Sequence, residues 1–212
     1  LVKRLSYLVF FAFLIPLSLH AAVPTIALQR QAFDHAFTLI RSVDPSSKLF
    51  LSGNQVDDAL IQLASAAALA SYDDLFWNCV IFSENSPRMI HARDQLVTVA
   101  LSDLIQSGKN EKAMDYIRQF PQEKRLRYAK PTLYAFIYAG NFKESETLLM
   151  LMPDGFQTDT LRLTLIDELL NQDLLLWAQT QFLRLPNSPQ KQERLFRFLK
   201  KALFTDVLDE TT

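Results

Sequence analysis

His91 and Asp94 stand at helical spacing and could together grip a metal ion. A zinc site needs about three or four protein ligands, so this pair falls short and reads as a surface helix pair; no metal is expected. Two acidic doublets, Asp57-Asp58 and Asp73-Asp74, could serve general acid/base chemistry or hold a cation. Both fall in the first turn of a predicted helix, where carboxylates complement the helix dipole, and they are read that way. The chain has no His-Glu-x-x-His zinc motif and no Gly-x-Ser-x-Gly nucleophile elbow. Its four glycines are scattered, so no glycine-rich loop can bring backbone N–H groups close to a phosphate. Cys79 is the only cysteine. It cannot form an internal disulfide, and within its Phe-rich stretch it reads as a buried small apolar residue. These residues supply no catalytic apparatus, and neither a cofactor nor an enzyme activity is expected.

The elements that would carry any site are helices. The chain has 212 residues, 49% of them hydrophobic, enough to bury a sizeable core. No stretch sustains the period-two alternation of a strand. Apolar residues recur at helical spacing, as in Val97, Leu101, Leu104 and Ile105, or Leu161, Leu165 and Leu169. The pattern predicts ten helices over about 25–42, 54–70, 72–82, 87–106, 110–120, 124–139, 142–152, 158–171, 173–185 and 188–204. Start signals are legible. Asn54, Ser71 and Asn141 each precede an acid by three residues, and Ser86-Pro87 and Ser188-Pro189 pair an N-cap with proline at the first helical position. Pro131 either kinks a helix or starts one. Aromatic residues fall mostly on the predicted buried faces and read as core.

Residues 1–21 have the layout of a signal peptide. Lys3 and Arg4 precede an apolar run, Leu5 to Leu19, that is short of a membrane span, and Ala21 offers a cleavage site. Export to the periplasm or beyond is expected, with one domain over 22–204 and an acidic, disordered tail over 205–212. A formal charge of −1 argues against a nucleic-acid partner held by bulk positive charge. Charge is uneven along the chain, from −4 over residues 23–103 to +4 over 104–203. Lys191, Arg194, Arg197, Lys200 and Lys201 make helix 188–204 basic. That helix is either a capping helix with a solvated face or one that meets a membrane surface or an acidic partner.

Across the second half, three positions recur at steps of 32 and 33 residues. Gly108, Gly140 and Asp173 mark turns, Ala113, Ser145 and Ala178 follow by five residues, and Pro121, Pro153 and Pro186 follow by thirteen. A turn, a small residue at a helix crossing and a closing proline describe repeated helical hairpins. With Phe142 two residues after its turn, the pattern resembles the tetratricopeptide repeat superfamily. An earlier, looser unit has Ala70 at the turn and Tyr72 as the aromatic. The resemblance covers roughly residues 54–186, with shorter second helices than that family's.

The resemblance implies an all-α fold, a right-handed stack of antiparallel helical hairpins forming an α-solenoid, with a C-terminal capping helix. It also implies a concave face formed by the first helix of each pair. In that family ligands meet residues three, six, ten and thirteen before the turn. Here these are Ile105, Ser102, Thr98 and Gln95, then Ile137, Tyr134, Lys130 and Arg127. The third set is Leu170, Asp167, Leu163 and Thr160. The expected function is an interaction or scaffolding module of the bacterial envelope that takes a protein or peptide, acidic or C-terminal, on that face. The alternative is a helical accessory domain of a peptidoglycan-acting system.

Overall fold

The computed structural model describes residues 26–43, 53–86 and 89–209, and every element among them is helical. The expected signal segment, 1–21, lies outside the described residues. In chain order the helices are α1 (Ile26–Ser42), α2 (Gly53–Leu69), α3 (Asp73–Asn85), α4 (Ile90–Gln106), α5 (Asn110–Gln119), α6 (Gln122–Tyr138), α7 (Phe142–Met150), α8 (Phe156–Asn171), α9 (Leu175–Leu183) and α10 (Pro189–Asp209). Among the described residues no helix is long and apolar enough to cross a membrane. The chain groups into two compact units divided between Ser107 and Gly108.

In the first unit α2 packs against α1, α3 and, most extensively, α4. Small side chains allow that closeness: Ala64, Ala67 and Ala68 on α2, and Ala92 and Ala100 on α4, are completely buried. Ser65 of α2 donates a 2.5 Å hydrogen bond to the Asp103 carboxylate of α4. Phe33 and Phe37 of α1 meet Tyr72 and Phe82 edge to face.

In the second unit α6 packs on α7 and α8, and α8 on α9 and α10. Its core is built from Tyr116, Tyr128, Leu133, Phe136, Leu148, Leu165, Ile166 and Leu169. The small residues expected at helix crossings, Ala113, Ser145 and Ala178, are each fully buried.

The turn residues are confirmed by their backbone. Gly108, Gly140 and Asp173 have φ of 74°, 73° and 57°, and the described residues add Ser71 at 65°. A left-handed residue after a helix lets the next N–H reach back to an orphan carbonyl. The bonds Tyr72 N–H to Ala67, Asn141 N–H to Phe136 and Leu174 N–H to Leu169 close three such turns at 2.8–2.9 Å. Ser71, not Ala70, is therefore the left-handed turn residue between α2 and α3. It is a capping-turn residue, and not the N-cap its sequence suggested. Five residues on stands Phe76, completely buried, where the three later turns are followed by Ala113, Ser145 and Ala178.

Several helix ends differ from expectation. The helix carries through Pro131 and begins at Gln122, so Arg127 and Lys130 are helical. Ser188 caps α10 as predicted, its Oγ accepting from Lys191 N–H at 3.1 Å. Ser86 does not start a helix, because α4 begins at Ile90 after Met89; Pro87 lies outside the described residues. Asn141 precedes α7 but spends its side chain on Asn110, its amide donating at 3.2 Å. Of the expected tail, 205–212, α10 takes in residues to Asp209, and residues 210–212 lie outside the described residues.

Candidate functional site

The sequence placed Asp57 in a first helical turn, with its carboxylate turned to the dipole of its own helix. That is overturned. Because α2 starts at Gly53, neither Asp57 nor Asp58 lies in its first turn. Asp57 is instead 3% exposed, its Oδ1 buried without a hydrogen-bond partner and its carboxylate beside the backbone N–H groups of Ala92 and His91. These are donors of the first turn of α4, where Met89 supplies no side-chain cap. An aspartate on a neighbouring helix thus lies against the first turn of α4. Burial pushes its pKa above the ordinary 3.8, the nearby backbone N–H groups and His91 pull it down, and Asp58 adds to the rise. This is a structural use of a carboxylate. The Asp73-Asp74 doublet does open its helix, and Arg30 of α1 pairs with Asp74.

Cys79 is completely buried, and desolvation pushes its thiol up to about 12. It behaves as a core residue. His91 is exposed, while the side chain of Asp94 lies outside the described residues. No group of three or more His, Cys, Asp or Glu that could hold a metal occurs among the described residues.

The expected ligand-binding positions divide between the units. On α4, Gln95 is exposed, Thr98 and Ser102 are half-buried, and Ile105 is core at 2% exposure. On α6, Arg127 and Lys130 are exposed, Tyr134 is half-buried and stacks on Tyr138 at 6.2 Å, and Ile137 is buried. The two isoleucines belong to the inner packing of their helices, because the position three residues before each turn leans toward the core. The third set fares differently. Thr160 is exposed, whereas Asp167 is held by Arg194 and Arg197 of α10, so the C-terminal helix occupies that stretch of α8.

Arg127, Lys130 and Thr160 come together in a groove of about 820 Å³ in the second unit. One wall is α6, with Gln122, Glu123, Leu126, Arg127 and Lys130, and the other is the start of α8, with Phe156, Gln157, Thr160 and Leu161. Pro153 closes the space between them. The residues at spacings of three and four on α6 explain why these side chains share a face. Leu126, Pro153, Phe156 and Leu161 give the groove its apolar surface, while Arg127 and Lys130 against Glu123 give it a net positive charge.

Counting along one helix found the cationic wall and missed the other. Phe156 is the clearest omission. It is 84% exposed at the first position of α8, two residues before the helix was expected to start. The preceding Gly155 has φ 149° and ψ 178°, a conformation essentially reserved for glycine. The signal was present in Pro153-Asp154-Gly155-Phe156: a turn whose glycine delivers an aromatic outward at a helix start.

Neither a protein-family model nor a curated protein nor a solved structure matches this chain.

Proposed function

We propose that this protein is a peptide-binding interaction module, and that an extended segment of a partner protein lies in the α6/α8 groove. The observation that carries this reading is the groove itself, where the exposed Phe156 and buried Leu161 of one wall stand opposite Leu126 and the two cations of the other. Pockets that combine apolar contact area with a few placed charges suit a peptide bearing an apolar side chain beside a carboxylate. Lys130 offers a point charge, and Arg127 a planar fork of donors that matches a carboxylate. The spacing of the turns and their shared backbone conformation support a tetratricopeptide-like stack of hairpins as the scaffold. The apolar leader in the sequence supports service in a bacterial envelope, periplasmic or secreted.

The test uses fluorescent peptides with Leu or Phe beside Asp or Glu, alongside matched peptides carrying Lys. Fluorescence anisotropy should show saturable binding of the acidic set, weakening as salt rises. Reversal of the cations in Arg127→Glu/Lys130→Glu should weaken binding at least about tenfold and remove the salt response, and Phe156→Ala should weaken it without changing the salt response. Equal binding of acidic and basic peptides, or full binding by the reversed variant, would refute the assignment.

A further inference from the structure

The basic C-terminal helix does not present its charges outward as its sequence suggests. Arg194 donates to Asp167 at 2.7 and 3.0 Å, Arg197 donates to the same carboxylate at 2.8 Å, and Lys201 reaches Asp173 at 2.5 Å. Lys191 donates to the Leu185 carbonyl at 2.6 Å. Four of the five cations are thus turned to the body of the second unit, with Phe198 set edge-on against Phe182. The outer side of α10 carries a row of apolar residues. Phe196 is 72% exposed, Leu203 66%, Leu199 49% and Leu195 37%.

Phe196, Leu199 and Leu203 follow one another at steps of three and four residues, the spacing of a helix-pairing seam. Glu193 and Lys200 are both exposed and lie seven residues apart, which puts them along the same border of that seam. Their signs are opposite. If two such helices run antiparallel about a two-fold axis, Phe196 of each layers on Leu199 of the other. The same register brings Glu193 of each copy beside Lys200 of the other, so the pair forms twice. A parallel pairing would instead set each border against the opposite border of the other helix, Glu193 beside Ser188 and Lys200 beside Leu195, with no charge pair. The border charges therefore make the stripe complementary to its own copy in the antiparallel arrangement.

We propose that a second copy of this chain docks on the outer face of α10, forming an antiparallel, two-fold helix pair sealed by Phe196 and Leu199 and bordered by Glu193–Lys200 contacts. Self-complementarity is what an isologous interface requires: the patch must supply both halves of each contact. One helix face per copy makes a small interface, under about 1,200 Å² in total, so the dimer should form in the micromolar range. This proposal is independent of the α6/α8 groove.

Charge exchange tests it without disturbing the fold, because both border residues are exposed. Sedimentation velocity on the full chain should show a monomer–dimer equilibrium below about 100 μM. Glu193→Lys alone and Lys200→Glu alone should each weaken self-association about tenfold, since each converts two attractive contacts into two repulsive ones. The Glu193→Lys/Lys200→Glu double variant should restore it. Mixing the two single variants should yield a heterodimer that neither forms alone. Monomeric wild-type protein at about 100 μM would overturn the proposal. So would a dimer indifferent to the single reversals, which would place the contact elsewhere. Binding of monomeric protein to vesicles of anionic lipid through Phe196, lost in Phe196→Ser, would assign the stripe to a membrane surface and would also overturn it.

Discussion

Replacing Asp167 by alanine should release α10 from the second unit, because this helix is held by charge more than by apolar burial. Asp167 accepts three hydrogen bonds, two from Arg194 and one from Arg197. The Arg194 side chain is 20% exposed, so its forked pair is only partly screened and should contribute roughly 1–2 kcal/mol. The Arg197 contact is 45% exposed and should add about 0.5 kcal/mol. Together the loss is about 2 kcal/mol, which for a chain of this length corresponds to a fall of about 4–8 °C in Tm. The assay is thermal unfolding by circular dichroism, repeated at rising salt. Screening shortens from about 10 Å at 0.1 M to 3 Å at 1 M, so the gap between wild type and variant should narrow as salt rises. A double-mutant cycle with Arg194→Ala should return a coupling of about 1 kcal/mol or more. Amide exchange in α10 should accelerate in the variant, ahead of the rest of the unit. A Tm within about 1 °C of wild type, with no coupling to Arg194, would refute the reasoning. The Phe198–Phe182 contact would then be the anchor, and Phe198→Ala would carry the loss instead.

Two further perturbations follow from the buried Asp57 and the turn residues. Because burial raises the pKa of Asp57 in the folded state, the folded protein holds that proton to higher pH than the unfolded chain does. Its contribution to stability is therefore greatest below the ordinary Asp value and falls as pH climbs toward the raised one. Asp57→Asn should flatten that decline in denaturant midpoints measured from about pH 4 to pH 7, and an unchanged slope would count against the assignment. At Gly140 an added methyl would meet nothing within 4 Å, so only the φ of 73° opposes a side chain. Gly140→Ala should accordingly cost about 1 kcal/mol and Gly140→Asn clearly less; equal losses in urea unfolding would point to a steric cause.

Much of the helical layout was legible in the sequence because its signals are local. Left-handed turn residues, a capping serine before Pro189 and apolar periodicity act within one or two helical turns. Gly140, Asp173, Ser188 and the buried Ala113, Ser145 and Ala178 all stand where their spacing put them. The same local rules erred where a partner from another helix intervened. The Asn54-x-x-Asp57 pattern looks like a helix start, yet Asp57 is buried against the first turn of α4, and no property of its own segment could reveal that neighbour. The cations of α10 read as a solvated basic face, yet Asp167 and Asp173, nearly thirty residues away in the chain, draw three of them inward and leave the leucines and Phe196 outside. Helical periodicity fixes which side chains share a face, but not which face the remaining helices will cover. The groove divides along the same line. Arg127 and Lys130 could be counted along a single helix, whereas Phe156 and Leu161 joined them only when α8 packed against α6.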